Sequence, residues 1–194
     1  MASAPAAVET WPDLPERDGY EYVDGTWVKI PTGAQSVWVS SQLFVQLHKY
    51  ARRRRTGVAL AHATSFQIWP AKPRRYRKPD GAFIATGRLP NNRVPEMHIN
   101  AVPELVIEVC APDDLAEAIE GKLGEYRDAG IPLIWAIYPK GPRAYVFRRN
   151  RTGRIVEEDE YLEGEDVLPG FRVRLRDILQ PKGLGVSSRS SPPR

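Results

Sequence analysis

Residues 104–138 constrain the fold of this chain more than any other stretch. Glu104-Leu105-Val106-Ile107-Glu108-Val109-Cys110 is nearly continuous in apolar character and rich in β-branched residues. That is the pattern of a strand buried on both faces. Ala111-Pro112-Asp113-Asp114 stops the strand and caps a helix over residues 115–129, closed by Gly130. Pro132-Leu133-Ile134-Trp135-Ala136-Ile137-Tyr138 then reads as a second buried strand. Strand, helix and strand in that order make a right-handed crossover, so part of the sheet is parallel. The fold class is α/β (α+β), a mixed central sheet flanked by helices.

A carboxylate interrupts the first of these strands. Burying even a neutral polar group without a partner costs about 2–7 kcal/mol, so Glu108 must be satisfied by an arginine or backbone donors, or must serve a ligand. Alternation puts it on the face of Val106 and Cys110, near the strand's C-terminal end, where α/β sheets place their sites. Asp80 follows Lys78-Pro79 and opens the run Gly81-Ala82-Phe83-Ile84-Ala85, predicted to neighbour the Glu108 strand. It reads as a turn aspartate or as a second ligand. Two carboxylates meeting from adjacent strands suit a hard cation such as Mg²⁺, which prefers one or two carboxylates completed by water and phosphate. Such an ion activates water and neutralises leaving charge. Lys122 lies fourteen residues after Glu108 (122 − 108), in an i, i+4 pair with Tyr126 on one helix face. It either faces the carboxylates, where it could assist the water or the developing charge, or is a solvated partner of Glu120 or Glu125.

Elsewhere, Tyr20-Glu21-Tyr22-Val23 and Thr26-Trp27-Val28-Lys29-Ile30 flank Asp24-Gly25, a tight-hairpin signal. From residue 36 to about 55, Val39, Leu43, Leu47 and Tyr50 recur at helical spacing, with Val37, Phe44 and Val45 added to that face and Thr56-Gly57 as the stop. Strands are predicted at 58–61, 65–69, 79–85 and 144–147, with a long loop over 86–103. Edge strands and a short helix follow, up to Leu179. Residues 1–18 are expected to be loosely ordered, 19–180 to form one domain, and 181–194 to be a disordered tail.

With 194 residues, 42% hydrophobic and 27% charged, the chain can build a core. It has no run of about 18–20 apolar residues to span a bilayer and no secretory leader at its N-terminus. Its single cysteine, Cys110, cannot pair internally and reads as a small buried hydrophobe. A cytoplasmic, non-membrane protein is expected. The net charge of +4 is mild, but the cations cluster in Arg52-Arg53-Arg54-Arg55, in Lys72-Pro73-Arg74-Arg75-Tyr76-Arg77-Lys78 and in Arg148-Arg149-Asn150-Arg151. Each cluster could neutralise phosphates or could be a solvated helix end or turn. The second runs directly into Pro79-Asp80.

These pieces together resemble a known pattern. Tyr20-Glu21-Tyr22-Val23-Asp24-Gly25, Arg77-Lys78-Pro79-Asp80, Pro103 to Pro112, Lys122-Leu123-Gly124-Glu125-Tyr126-Arg127-Asp128-Ala129-Gly130-Ile131, Trp135 and Leu168-Pro169-Gly170-Phe171 are similar, in order and spacing, to the Uma-two restriction-endonuclease family of the PD-(D/E)XK nuclease superfamily. The resemblance covers about residues 16–180. It implies a restriction-endonuclease-like core with an N-terminal β-hairpin, and a Mg²⁺ (or Mn²⁺) cofactor held by Asp80 and Glu108. The superfamily's lysine usually sits two residues after the second acid, where this chain has Cys110; Lys122 matches the lysine this family carries on the following helix. Glu21 matches a hairpin glutamate that approaches the metal, or else is a hairpin surface residue. Gln35 stands where a histidine is expected; it could position phosphate or water but cannot act as a base.

The expected function is therefore metal-dependent endonucleolytic hydrolysis of nucleic-acid phosphodiesters, DNA first. Asp80, Glu108, Lys122 and Glu21 would be catalytic, and Arg74, Arg75, Arg77, Lys78 and Gln35 would contact nucleic acid. A homodimer fits paired cuts. The competing readings are a catalytically weak nucleic-acid- or partner-binding module on the same scaffold, and a purely structural Glu108 paired with an arginine.

Overall fold

The computed structural model describes residues 12–111 and 114–180. In chain order these residues form β1 (Tyr20–Val23), β2 (Thr26–Lys29), α1 (Ala34–Arg54), β3 (Gly57–Ala61), β4 (Arg75–Tyr76), β5 (Gly81–Ala85), β6 (Leu105–Val109), α2 (Ala116–Asp128), β7 (Leu133–Tyr138), β8 (Arg143–Arg148), β9 (Gly153–Glu157), β10 (Tyr161–Glu163), β11 (Arg172–Arg174) and α3 (Arg176–Leu179).

The central sheet has the order β3-β5-β6-β7-β8-β9. Only β6 and β7 run parallel, with Leu105 opposite Leu133 and Val109 opposite Ile137; the other pairs are antiparallel. The predicted strand–helix–strand unit is thus the middle of a mixed sheet. Period-two alternation sorts β6 between two cores. Leu105, Ile107 and Val109 pack with Val39, Leu43 and Leu47 of α1. Val106 and Cys110 join Ile119, Leu123 and Tyr126 of α2 on the opposite side. Both faces are covered, which is why the strand sequence is almost uniformly apolar. The Leu168-Pro169-Gly170-Phe171 turn closes the first core: Gly170 takes φ 79°, Tyr50 donates to the Pro169 carbonyl, and Phe171 stacks on Trp135.

The hairpin forms as expected. Asp24 and Gly25 both take positive φ, 50° and 92°, as a two-residue turn of matching twist requires. Its β1 strand also pairs with β4, making a second, three-stranded sheet in the order β2-β1-β4.

Several expectations are corrected. Residues 65–69 are not a strand: Phe66 makes isolated bridges to Arg77 and Ile99, exchanging both of its backbone bonds with Arg77 while the Gln67 amide and the Ser65 carbonyl bond to Ile99. Val37 and Val45 are 43% and 40% exposed, because they lie roughly 200° around the helix from Val39 and Leu43, which face the sheet. Helix α1 ends on Arg55 in the left-handed region, φ 55°, and not on Gly57. Gly57 serves a different need: a Cβ there would lie 2.1 Å from the Ile84 carbonyl oxygen and 2.6 Å from Phe83 Cζ, so only glycine lets β3 approach β5. Helix α2 has Leu115 at its N-cap and no side-chain cap; Asp114 instead accepts from the Ala111 amide. The proposed cap at Asp113 lies outside the described residues, as do the expected loose segment over 1–11 and the tail over 181–194. Residues 12–18 are tied down. Leu14 is buried, the Pro15 carbonyl accepts from Tyr76, and Glu16 accepts from Ser65. Among the described residues, no helix is long and apolar enough to cross a membrane.

Candidate active site

Four elements converge on one cavity of about 470 Å³, lined among others by Glu21, Arg77, Lys78, Asp80, Glu108 and Lys122. The register of the sheet explains the meeting. Asp80 directly precedes β5, whose first residue, Gly81, lies opposite Ile107 of the antiparallel β6. The start of β5 and the end of β6 therefore coincide. Asp80 Oδ2 accepts from the Val109 amide at 2.7 Å, next to Glu108 in the chain. Asp80 Oδ1 has His62 Nδ1 at 3.8 Å, beyond hydrogen-bond reach.

Glu108 is 4% exposed and both its oxygens have donors: Lys122 Nζ at 3.0 Å from Oε2 and the Tyr126 hydroxyl at 2.6 Å from Oε1. The helical spacing of Lys122 and Tyr126 brings both donors down onto the same strand residue. Lys122 does not pair with Glu120 or Glu125. Its ammonium sits between Glu108 and Glu21, 3.1 Å from Glu21 Oε1. Glu21, 2% exposed, is no surface residue: it also accepts from Arg77 at 2.9 Å and from the Lys78 amide at 2.8 Å.

The electrostatics divide the acids. Burial drives the Asp80 carboxyl up to about 6, opposed by the Val109 amide and Lys122 and helped by Asp114 and Glu21; burial drives the Glu108 carboxyl up to about 7, opposed by Lys122 and helped by Asp80 and Glu21. Burial also presses on Glu21, but Lys122, Arg77 and the Lys78 amide outweigh it and hold Glu21 below the usual glutamate value. The same lysine serves all three, so the difference lies in Glu21's additional guanidinium. Burial favours loss of the Lys122 proton, but Glu108, Glu21 and Asp80 outweigh it and hold the lysine above its usual value, as a cation. Burial pushes the Cys110 thiol up to about 12, and it behaves as the expected small hydrophobe.

The predicted nucleic-acid contacts are mostly elsewhere occupied. Arg75, Arg77 and Lys78 are buried, not presented to solvent. Arg77 grips Glu125 through two nitrogens at 2.8 Å while reaching Glu21. Arg75 pairs with Asp24 and Glu125, and Lys78 with Glu16. A buried guanidinium already neutralised by two carboxylates is not presented to an incoming phosphate. Arg74 alone of the four is exposed, donating to the Tyr22 hydroxyl. Gln35, half-buried in the first turn of α1, does not line the cavity. Tyr126, which donates to Glu108, and Glu125, which accepts from Arg77, take part beyond the residues the sequence singles out as site residues. Tyr126 carried the only usable signal, its helical spacing from Lys122.

The donors fit a hard cation in one respect: Asp80 and Glu108 offer carboxylate oxygens whose burial leaves negative charge undercompensated. Among the described residues, no three His, Cys, Asp or Glu side chains gather closely enough to hold a metal ion by themselves. An ion here would use these two carboxylates and complete its shell with water and phosphate.

A mixed sheet flanked by helices, with an N-terminal antiparallel hairpin, places the chain in the restriction-endonuclease-like nuclease fold. It belongs to the Uma2 family, described as "Putative restriction endonuclease", whose model matches residues 5–176. A solved structure described as "a putative nuclease belonging to DUF820" from Anabaena variabilis ATCC 29413 superposes with a TM-score of 0.72, covering 86% of this chain and 93% of that one at 18% identity. No curated protein matches the sequence significantly.

Proposed function

We propose that this chain is a divalent-metal-dependent endonuclease that hydrolyses nucleic-acid phosphodiesters, DNA first, at the Asp80–Glu108 cavity. The observation that carries the reading is the meeting of two carboxylates, half-buried Asp80 and buried Glu108, raised to about 6 and about 7, in one cavity with a lysine held protonated. Asp80 and Glu108 would hold Mg²⁺ or Mn²⁺, which when bound supplies Lewis-acid activation of water and neutralisation of leaving charge. Lys122, fixed by Glu108 and Glu21, presents a cation toward a scissile phosphate and stabilises charge as it develops there. The Val109 amide keeps Asp80 in one rotamer, and the Tyr126 hydroxyl does the same for Glu108. Glu21 and Arg77 act one step back, holding Lys122 in place.

One observation favours a second reading, a nucleic-acid-binding module with weak or no catalysis: both oxygens of Glu108 already have donors. A single experiment separates the two. Plasmid and linear DNA are incubated with the protein in Mg²⁺, Mn²⁺ or EDTA, alongside Asp80→Asn and Glu108→Gln. Metal-dependent nicking lost in both variants supports the endonuclease; DNA shifted but uncut in every metal supports the binding module.

A further inference from the structure

A second cavity, about 690 Å³, opens on the other side of α2 from the carboxylates, and the two share Asp114 and Ile119 as a common wall. Its floor is the part of the β7–β8 face that α2 leaves uncovered. Tyr138, Tyr145 and Phe147 are half-buried there, with the two tyrosine rings edge-to-face at 5.3 Å. Alternation along β8 puts Arg143, Tyr145 and Phe147 on one side. Lys140 and Arg143 stand exposed at one end of this strip. At the other, Arg127 lies over the Phe147 ring at 5.7 Å and leads into a cavity lined by Arg149 and Arg151 against one carboxylate, Asp128.

These cations differ from those around the carboxylates. Lys140, Arg143, Arg127, Arg149 and Arg151 make no ion pair among the described residues, whereas Arg75, Arg77, Lys78 and Lys122 each do. Unpaired cations at both ends of a recessed aromatic strip are complementary to a polyanion with flat apolar groups. A duplex keeps its bases paired and stacked inside; only an unpaired strand can lay bases on these rings while its phosphates reach the cations.

We propose that the β7–β8 face is a binding site for single-stranded nucleic acid, with bases stacking on Tyr138, Tyr145 and Phe147 and phosphates held by Lys140, Arg143, Arg127 and Arg149. The inference rests on the nuclease reading only for the use of such a strand, since the carboxylate cavity lies next door across Asp114 and Ile119. Arg143 and Arg149 are six residues apart (149 − 143), roughly 20 Å of extended chain, so the strip takes several nucleotides.

The test is fluorescence anisotropy with labelled oligothymidylate, oligouridylate and a duplex of equal length, in EDTA so that no cutting occurs. Either single strand should bind more tightly than the duplex, and Tyr145→Ala should weaken that binding about tenfold. Arg143→Ala and Arg149→Ala, both at exposed positions, should each lower the slope of log affinity against log salt by about 0.7. Circular dichroism melts of the variants verify that the fold is retained. Equal binding of duplex and single strand, undiminished binding by folded Tyr145→Ala, or no oligonucleotide binding at low salt would overturn the proposal. Because catalysis plays no part, Tyr145-dependent binding by a protein that cuts nothing leaves this site standing and removes the nuclease reading. Metal-dependent cutting without Tyr145 dependence does the reverse.

Discussion

Arg77→Met distinguishes a structural guanidinium from a phosphate-binding one. The guanidinium is 10% exposed, reaching Glu21 at 2.9 Å and Glu125 at 2.8 Å through two nitrogens. Methionine keeps much of the volume and leaves two carboxylates, 3% and 20% exposed, without their shared cation. Breaking a buried pair costs about 3–5 kcal/mol. Glu21 retains Lys122 and the Lys78 amide, and Glu125 retains Arg75, so the lower end applies, about 3 kcal/mol. For a chain of this size that lowers Tm by about 6–12 °C. The assay is urea unfolding by far-ultraviolet circular dichroism in EDTA, for Arg77→Met, Glu125→Gln and the double variant. The double should recover about 0.5–3 kcal/mol of the summed loss, since the second change removes a charge the first left stranded. An unmoved midpoint with an unchanged slope, together with weakened DNA binding, would refute the internal role and restore Arg77 as a phosphate ligand.

Three further outcomes are expected. Because burial raises Asp80 to about 6 and Glu108 to about 7 from unfolded values of 3.8 and 4.5, the metal-free fold binds protons more readily than the unfolded chain; on account of these two groups its stability rises as pH falls from about 8 toward 5, read by Tm across pH in EDTA. By the same linkage, Mg²⁺ or Mn²⁺ binding displaces those protons, so calorimetry in buffers of different ionisation enthalpy should show more proton release at about pH 6 than at about pH 8.5. Gly57→Ala forces a methyl onto the Ile84 carbonyl and should cost at least about 1–3 kcal/mol, measured by the same urea titration.

The sequence resolved what local pattern decides. Asp24-Gly25 specified its turn because both residues tolerate positive φ, and the unbroken apolar run of β6 marked the sheet centre because both faces are covered. Glu108 stood out as a charge where none is cheap. Lys122 and Tyr126 could be placed on one helix face, but only the packing of α2 on β6 showed that both reach Glu108. The run from Lys72 to Lys78 was unreadable for the opposite reason. Its partners, Glu16, Glu21, Asp24 and Glu125, lie about 50 or more residues away along the chain, and no local spacing announces them. The unpaired cations that matter for the inferred strand site lie instead on the β8 alternation, on its flanking turns and, with Arg127, on the last turn of α2, so the segment Arg148-Arg149-Asn150-Arg151 supplies only part.

The hairpin brings Glu21 to the cavity, yet it is bolted to α2 through Asp24, Arg75, Glu125 and Arg77. Swinging it aside would strand several charges away from water at once. It is therefore a wall of the chamber and not a door.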